Sequence, residues 1–220
     1  MKRMAAKITN KIICFDVDGT LVEHKSSWEA LTLALGCSSG SINQIHKETN
    51  SGIMPFDRGV RLVEEMYRAS GRATENFIRE FFESISLKDE AKDVADHLHN
   101  KRYSIYLVSG AIDIYVASIA KKIGADGFFS HASLEFNDSG SLSKINYGKN
   151  QRLAKAKRIR ELSAKFDVPK NQITFVGDSE NDVEAFKLTG RGIAVHPYDK
   201  ELDKIAWKKI RMLSEIKNFL

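Results

Sequence analysis

The chain has 220 residues, 42% of them hydrophobic and 29% charged, with three prolines and no biased tract. That composition describes a globular protein with one substantial core, or a core and a small satellite, and excludes a disordered or low-complexity chain. The net charge is +5, and no window approaches the roughly 20 apolar residues of a spanning helix, so no membrane partner is expected.

Residues 1–10 carry Lys2, Arg3 and Lys7. A secretory signal needs an apolar stretch of about 7–15 residues behind such charges. Here the only nearby apolar run is residues 12–15, and Asp16 ends it, so a cytoplasmic location is expected. The two cysteines, Cys14 and Cys37, make neither a disulfide framework nor a zinc site.

Residues 11–15 form an isoleucine-rich run ending in Asp16-Val17-Asp18-Gly19-Thr20, which reads as a buried strand opening into a loop. Residues 24–86 show helical segments at 27–35, 41–49, 56–70 and 74–85, with a joint at 52–55 and no strand pattern. Apolar spacing predicts a helix over 89–100, a strand over 103–108 ending in Ser109-Gly110, a helix over 112–123 and a short strand at 128–129. A hairpin is expected from 133–136 and 140–143 around Asn137-Asp138-Ser139. A helix over 154–166, a strand over 172–176 ending in Gly177-Asp178, a helix over 181–188, a strand over 192–195 and a helix over 199–209 complete the chain. Alternating strand and helix implies an α/β fold with a parallel sheet, interrupted after its first strand by a helical insert. In such sheets ligands bind at the carboxyl ends of the strands. Three of these strands end in polar residues.

Asp16 and Asp18 lie two apart at one strand end, and close carboxylates attract a hard divalent cation such as magnesium. Asp178 and Asp182 follow another strand at a spacing of four, which also suits helix capping. Ser109 and Gly110 open a helix, where backbone N–H groups and a hydroxyl bind phosphate. An ionised aspartate with an ordinary pKa of about 3.9 can attack phosphorus, and a second carboxylic acid can protonate the leaving alkoxide.

These motifs resemble those of the haloacid dehalogenase superfamily. Residues 15–22 match its first motif, 107–110 its second and 176–182 its fourth. The resemblance implies a Rossmann-like parallel sheet core, residues 1–23 and 87–220, with a small helical cap, residues 24–86. It implies a magnesium-dependent phosphatase with Asp16 as nucleophile and Asp18 as general acid and base. Asp16, Asp178 and Asp18 through its carbonyl would bind the metal. Asp182 would orient the metal's water shell, Thr20 would support the first loop, and Asn181 falls within the fourth motif. Ser109, Gly110 and a lysine would hold the phosphate. Lys155 is the choice for that lysine, with Lys157 and Lys149 as rivals.

The cap placement is similar to the phosphoserine-phosphatase-like subfamily. There a glutamate is expected where this chain has Lys25, and an arginine where it has Val63. Both departures argue against phosphoserine, although Glu23, Arg58 and Arg61 lie close by in sequence. Lys25, Trp28 and Phe56 are the candidate substrate-selecting residues, and the expected substrate is a small phosphorylated metabolite. Residues 144–170 carry nine Lys/Arg against Glu161 and Asp167. A nucleic-acid-binding role for that segment is the alternative of another class, but interleaved aromatics and known DNA-binding motifs are lacking.

Overall fold

The computed structural model describes residues 11–220; the charged segment 1–10 lies outside the described residues. Strand β1 (Lys11–Phe15) buries Ile13 and Phe15 in one hydrophobic cluster and Ile12 and Cys14 in another. A strand apolar on both faces belongs inside a parallel sheet. That is its position in the order β3 (Gly127–Phe129), β2 (Tyr103–Val108), β1, β6 (Ile173–Gly177), β7 (Gly192–Val195), β8 (Lys208–Ile210), with every pairing parallel. One face carries α5 (Ala91–Asn100) and α6 (Asp113–Ile123), whose Val94, Leu98 and Val116 join the Phe15 cluster. The other carries α7 (Gln151–Phe166), α8 (Val183–Thr189) and α9 (Lys200–Ile205), whose Ile159, Phe186 and Leu202 join the Cys14 cluster. The chain leaves β1 toward β2 and β3, then returns to build β6, β7 and β8 on its other side. That reversal opens a crevice at the carboxyl ends of β1, β2 and β6.

Between β1 and β2 come α1 (Ser27–Ala34), α2 (Ser39–Asn50), α3 (Phe56–Ala69) and α4 (Glu75–Ser84). Ser26, Ser38 and Thr74 start three of them, each side chain accepting a backbone N–H of the first turn. The hairpin of β4 (Ala132–Phe136) and β5 (Leu142–Tyr147) lies beside this insert. The Ile145 N–H donates to Glu64 of α3 at 2.9 Å, the Leu142 N–H to the Ala73 carbonyl at 2.8 Å, and the Glu75 N–H to the Gly140 carbonyl at 2.8 Å. No helix among the described residues is long and apolar enough to cross a membrane.

Several boundaries differ from the sequence reading. The helix expected over 199–209 ends at Ile205, and Lys208–Ile210 instead forms the edge strand β8, with the Trp207 N–H on the Gly192 carbonyl at 2.8 Å. Three residues are too few to show a strand pattern. The second hairpin strand runs over 142–147 rather than 140–143. Gly140 takes φ +75° in the turn, where the Asn137 carboxamide oxygen accepts the Ser139 and Ser141 N–H groups. The helix expected from 154 starts at Gln151, because Asn150, at φ +60°, caps it by accepting the Leu153 N–H. The helix expected over 181–188 begins as a 3-10 turn, Glu180–Asp182, before α8.

The insert is braced by one buried hydroxyl. Tyr67 of α3 is fully buried, and its phenol lies 2.8 Å from the Thr32 hydroxyl and donates to the Trp28 carbonyl at 3.2 Å. Tyr67→Phe removes the phenol from a three-membered network and leaves the Thr32 hydroxyl and the Trp28 carbonyl only their bond to each other, at 2.8 Å. The expected cost is about 1–2 kcal/mol, read as a fall in Tm by thermal denaturation; an unchanged Tm would show that this brace holds nothing.

Candidate active site

The Asp16 N–H donates to the Val176 carbonyl at 2.9 Å, extending the β1–β6 ladder one residue beyond the strand. This fixes the Asp16 carboxyl at the crevice. The chain then turns around the Val17 carbonyl, which accepts N–H groups from Thr20 and Leu21. Gly19 makes that turn at φ +71°, and a Cβ there would meet Asp178 Oδ2 at 2.3 Å. No other residue satisfies both the dihedral and the contact. Gly177 ends β6 under a similar constraint, since its Cβ would lie 2.4 Å from Asp182 Oδ2.

The two loops bring three carboxylates together. Asp16, Asp178 and Asp182 are buried, and each offers an oxygen within 4.8 Å of the others. Asp182 Oδ2 accepts the N–H groups of Asp178 and Ser179 at 3.1 and 3.0 Å. Its Oδ1 takes Lys155 Nζ at 2.6 Å, and the same ammonium lies 2.8 Å from Asp16 Oδ2. Asp178 accepts the Thr20 hydroxyl at 3.1 Å and Lys25 Nζ at 2.6 Å.

The electrostatics follow from burial. The sequence reading gives Asp16 an ordinary carboxylate pKa; burial instead pushes it up to about 7, with Asp182 and Asp178 adding to the rise and Lys155 opposing it. Asp178 is raised by burial as well, against the pull of Lys25. Lys155 pays for its burial, but Asp16 and Asp182 outweigh that and hold it above its ordinary range. Asp16 Oδ1 is buried and has no hydrogen-bond partner. An orphaned carboxylate oxygen among three convergent acids fits a hard cation, which takes oxygen ligands. The Asp16 and Asp178 side chains would hold it, next to Asp182, whose oxygens already accept Lys155 and two backbone N–H groups.

Asp18 points elsewhere. Its Oδ2 accepts the Ser27 N–H at 2.9 Å and the Ser27 hydroxyl at 2.8 Å, and its Oδ1 accepts the Tyr115 hydroxyl at 2.9 Å. His24 Nε2 lies 2.9 Å from the Tyr115 oxygen and 3.3 Å from Asp18 Oδ1. Burial and Asp18 keep the Tyr115 phenol protonated, so it serves as a donor. The Asp18 side chain therefore lies outside the three-acid cluster, which leaves its carbonyl as the atom that the sequence reading assigns to the metal.

A cavity of about 760 Å³ lies over these groups. Ser109, Gly110 and Asn181 line it, as do Lys25, Trp28 and Phe56. Ser109 is held by its N–H on the Phe129 carbonyl at 3.0 Å, and its hydroxyl accepts the Ala111 N–H at 3.3 Å. Of the three lysines, Lys155 reaches Asp16; Lys157 is exposed near Glu161, and Lys149 is exposed near Asp57. Val63 is buried in the insert and does not line this cavity.

Sequence reasoning missed Ser27, His24, Tyr115 and Tyr147. Tyr115 has the spacing of a core residue and lies 97 positions from Asp18. Tyr147 of β5 stacks on Trp28, centroids 5.1 Å apart, and tilts against Phe56 at 5.5 Å. Its place beyond the expected hairpin hid it.

Comparison with known proteins adds the family context. A family model described as haloacid dehalogenase-like hydrolase matches residues 10–190. The phosphoserine phosphatase of Methanocaldococcus jannaschii is 28% identical over 227 residues, covering 96% of this chain and 97% of that protein. That of Drosophila melanogaster is 29% identical over 189 residues, covering 83% of this chain and 68% of that protein. A solved phosphoserine phosphatase with a phospho-aspartyl intermediate analogue superposes with a TM-score of 0.76 at 24% identity, covering 96% of this chain and 99% of that one. A substrate-bound phosphoserine phosphatase complex gives a TM-score of 0.77 at 24% identity, with the same coverage.

The raised Asp16 carboxyl has a consequence for stability. Without metal, the folded chain keeps that proton up to pH of about 7, whereas the unfolded chain loses it near 3.8. Between those values the folded state binds more protons, so stability falls as pH rises. In the presence of chelator, Asp16→Asn should therefore gain on the native chain by a few degrees in Tm between pH 5 and pH 8, at about 2–4 °C per kcal/mol. A difference in Tm that stays constant with pH would show that Asp16 is not strained by its neighbours.

Proposed function

The chain belongs to the haloacid dehalogenase-like hydrolases, and on that premise we propose that it is a magnesium-dependent phosphatase of small phosphorylated metabolites acting through Asp16. The observation that carries this reading is the convergence of Asp16, Asp178 and Asp182, two of them paired with buried Lys155, with one Asp16 oxygen left unpartnered. Phosphoric monoester hydrolysis is the chemistry that such a site performs.

In the first step an Asp16 oxygen attacks phosphorus, the bond to the ester oxygen breaks, and an aspartyl-phosphate forms. Asp18 supplies the proton that the leaving alkoxide needs. In the second step Asp18, now ionised, takes a proton from water. The water oxygen bonds to phosphorus, the Asp16–phosphorus bond breaks, and inorganic phosphate leaves. Ser27 and Tyr115 hold the Asp18 carboxyl in place through both steps. Lys155 neutralises the nucleophile and phosphate together, and Ser109 with the backbone at Gly110 receives the remaining phosphate oxygens. Magnesium, held by Asp16, Asp178 and the Asp18 carbonyl with Asp182 orienting its water, would supply positive charge against the phosphate oxygens and return Asp16 to its ionised form. Thr20 steadies Asp178, and Asn181 stands on the cavity wall.

We assign residues 24–86 as the cap that covers the cavity over a core of 1–23 and 87–220, with the β4–β5 hairpin docked against the cap. Closure of such a lid excludes bulk water and leaves room only for a compact substrate. A second reading, phosphoserine as the substrate, is favoured by the names of the relatives. Nothing in the comparisons points to a nucleic-acid-binding role for residues 144–170.

Hydrolysis of p-nitrophenyl phosphate should require magnesium, stop with chelator, and fall by at least about 10³-fold in Asp16→Asn, the scale of losing a nucleophile. Activity surviving in that variant would rule out Asp16 as the attacking group.

A further inference from the structure

The cavity charges narrow the substrate. Besides the reaction groups Asp16, Asp18, Lys155 and Asp178, its charged lining residues are Lys25, Arg152 and Glu180. Glu180 is taken by Arg152, whose guanidinium donates to it at 2.7 Å and also approaches Glu201 at 3.5 Å. Among the described lining residues outside the reaction groups, the one carboxylate is thus already paired with an arginine, which opposes its receiving a substrate ammonium. Lys25 stands on the same wall as a cation, with its side chain 53% exposed.

In the absence of a cation it has one short partner and one long one. Lys25 Nζ bonds Asp178 Oδ2 at 2.6 Å and the Pro197 carbonyl at 3.3 Å. A cation at the three-acid cluster would share the charge of Asp178 and leave Lys25 in want of another anion. The long exposed stem lets the ammonium move to one. The same cavity is lined by Trp28, Tyr147 and Phe56, whose packed rings form an aromatic wall suited to a short carbon skeleton. The arginines of α3 offer no alternative: Arg61 lines a separate groove on the hairpin side, and Arg58 does not line this cavity.

We propose that Lys25 selects the substrate: a phosphate monoester whose carbon skeleton carries a second anionic group, such as a carboxylate, and no ammonium. Lys25 pairs with that second anion while the ester phosphate lies at Asp16. This rests on the reading of the site as a phosphomonoesterase. It departs from the substrate named for the relatives, because the ammonium of phosphoserine would sit beside a like charge.

The test compares three esters with the magnesium-loaded enzyme: 3-phosphooxypropanoate, O-phospho-L-serine and propyl phosphate, with p-nitrophenyl phosphate as the reference for the chemistry. The expected order of kcat/KM places 3-phosphooxypropanoate first, by about tenfold or more over each of the other two. Lys25→Gln should cut the ratio of 3-phosphooxypropanoate to propyl phosphate by about tenfold, the scale of one lost charge-assisted bond. Reading a ratio at saturating magnesium cancels any effect transmitted through Asp178. Lys25→Glu should shift preference from 3-phosphooxypropanoate toward O-phospho-L-serine. O-phospho-L-serine hydrolysed as well as its des-amino analogue, or a ratio unmoved by Lys25→Gln, overturns the proposal while turnover of p-nitrophenyl phosphate leaves the phosphatase reading standing. No turnover of any of the four esters brings down both.

Discussion

Three buried carboxylates crowd together with one buried ammonium, Lys155, which pairs with only two of them, while Asp178 takes the half-exposed Lys25; the rest of the site is arranged around that imbalance. Two unit charges 4 Å apart interact by about 4 kcal/mol at an effective dielectric of 20. Three such repulsions rival the roughly 5–15 kcal/mol that holds a domain together. Lys155 offsets part of this, at 2.8 Å from Asp16 and 2.6 Å from Asp182. The remainder is met by keeping a proton on Asp16 or by admitting a cation. A site that is strained when empty and relieved when loaded is one in which binding the metal also ionises the nucleophile.

The fold supplies the geometry at low cost. Parallel strands β1 and β6 end side by side, so the Asp16 and Asp178 loops face each other without a long excursion. Gly19 and Gly177 let those loops close to distances that any side chain would block. The helical insert and the hairpin carry the second half of the site, since Trp28, Phe56 and Tyr147 come from three different elements and meet as one wall. Lys25 joins the halves, because it sits at the start of the insert and bonds an acid at the end of the sheet.

Strands β1, β2 and β6 are legible because each is a short apolar run closed by polar residues. The acids at their ends stood out for the same reason. Asp16, Asp178, Asp182, Ser109 and Lys155 could be singled out from motif and position, and the structure brings them to one cavity or its floor. What could not be read was set by contacts distant in sequence. Tyr115 looks like any apolar helix residue, yet its hydroxyl reaches Asp18. The raised pKa of Asp16 depends on burial, which a loop aspartate does not announce. The 199–209 segment misled because helical spacing in its first half concealed a three-residue edge strand in its second.

The central claim is that Asp16 becomes covalently phosphorylated. Acid quenching of the magnesium-loaded enzyme during turnover, followed by peptide mass spectrometry, reads this directly. The account predicts one added phosphoryl group on the peptide containing Asp16, removed by hydroxylamine and absent in Asp16→Asn. Active enzyme that never carries phosphate on that peptide, or carries it on a histidine or serine elsewhere, would contradict it.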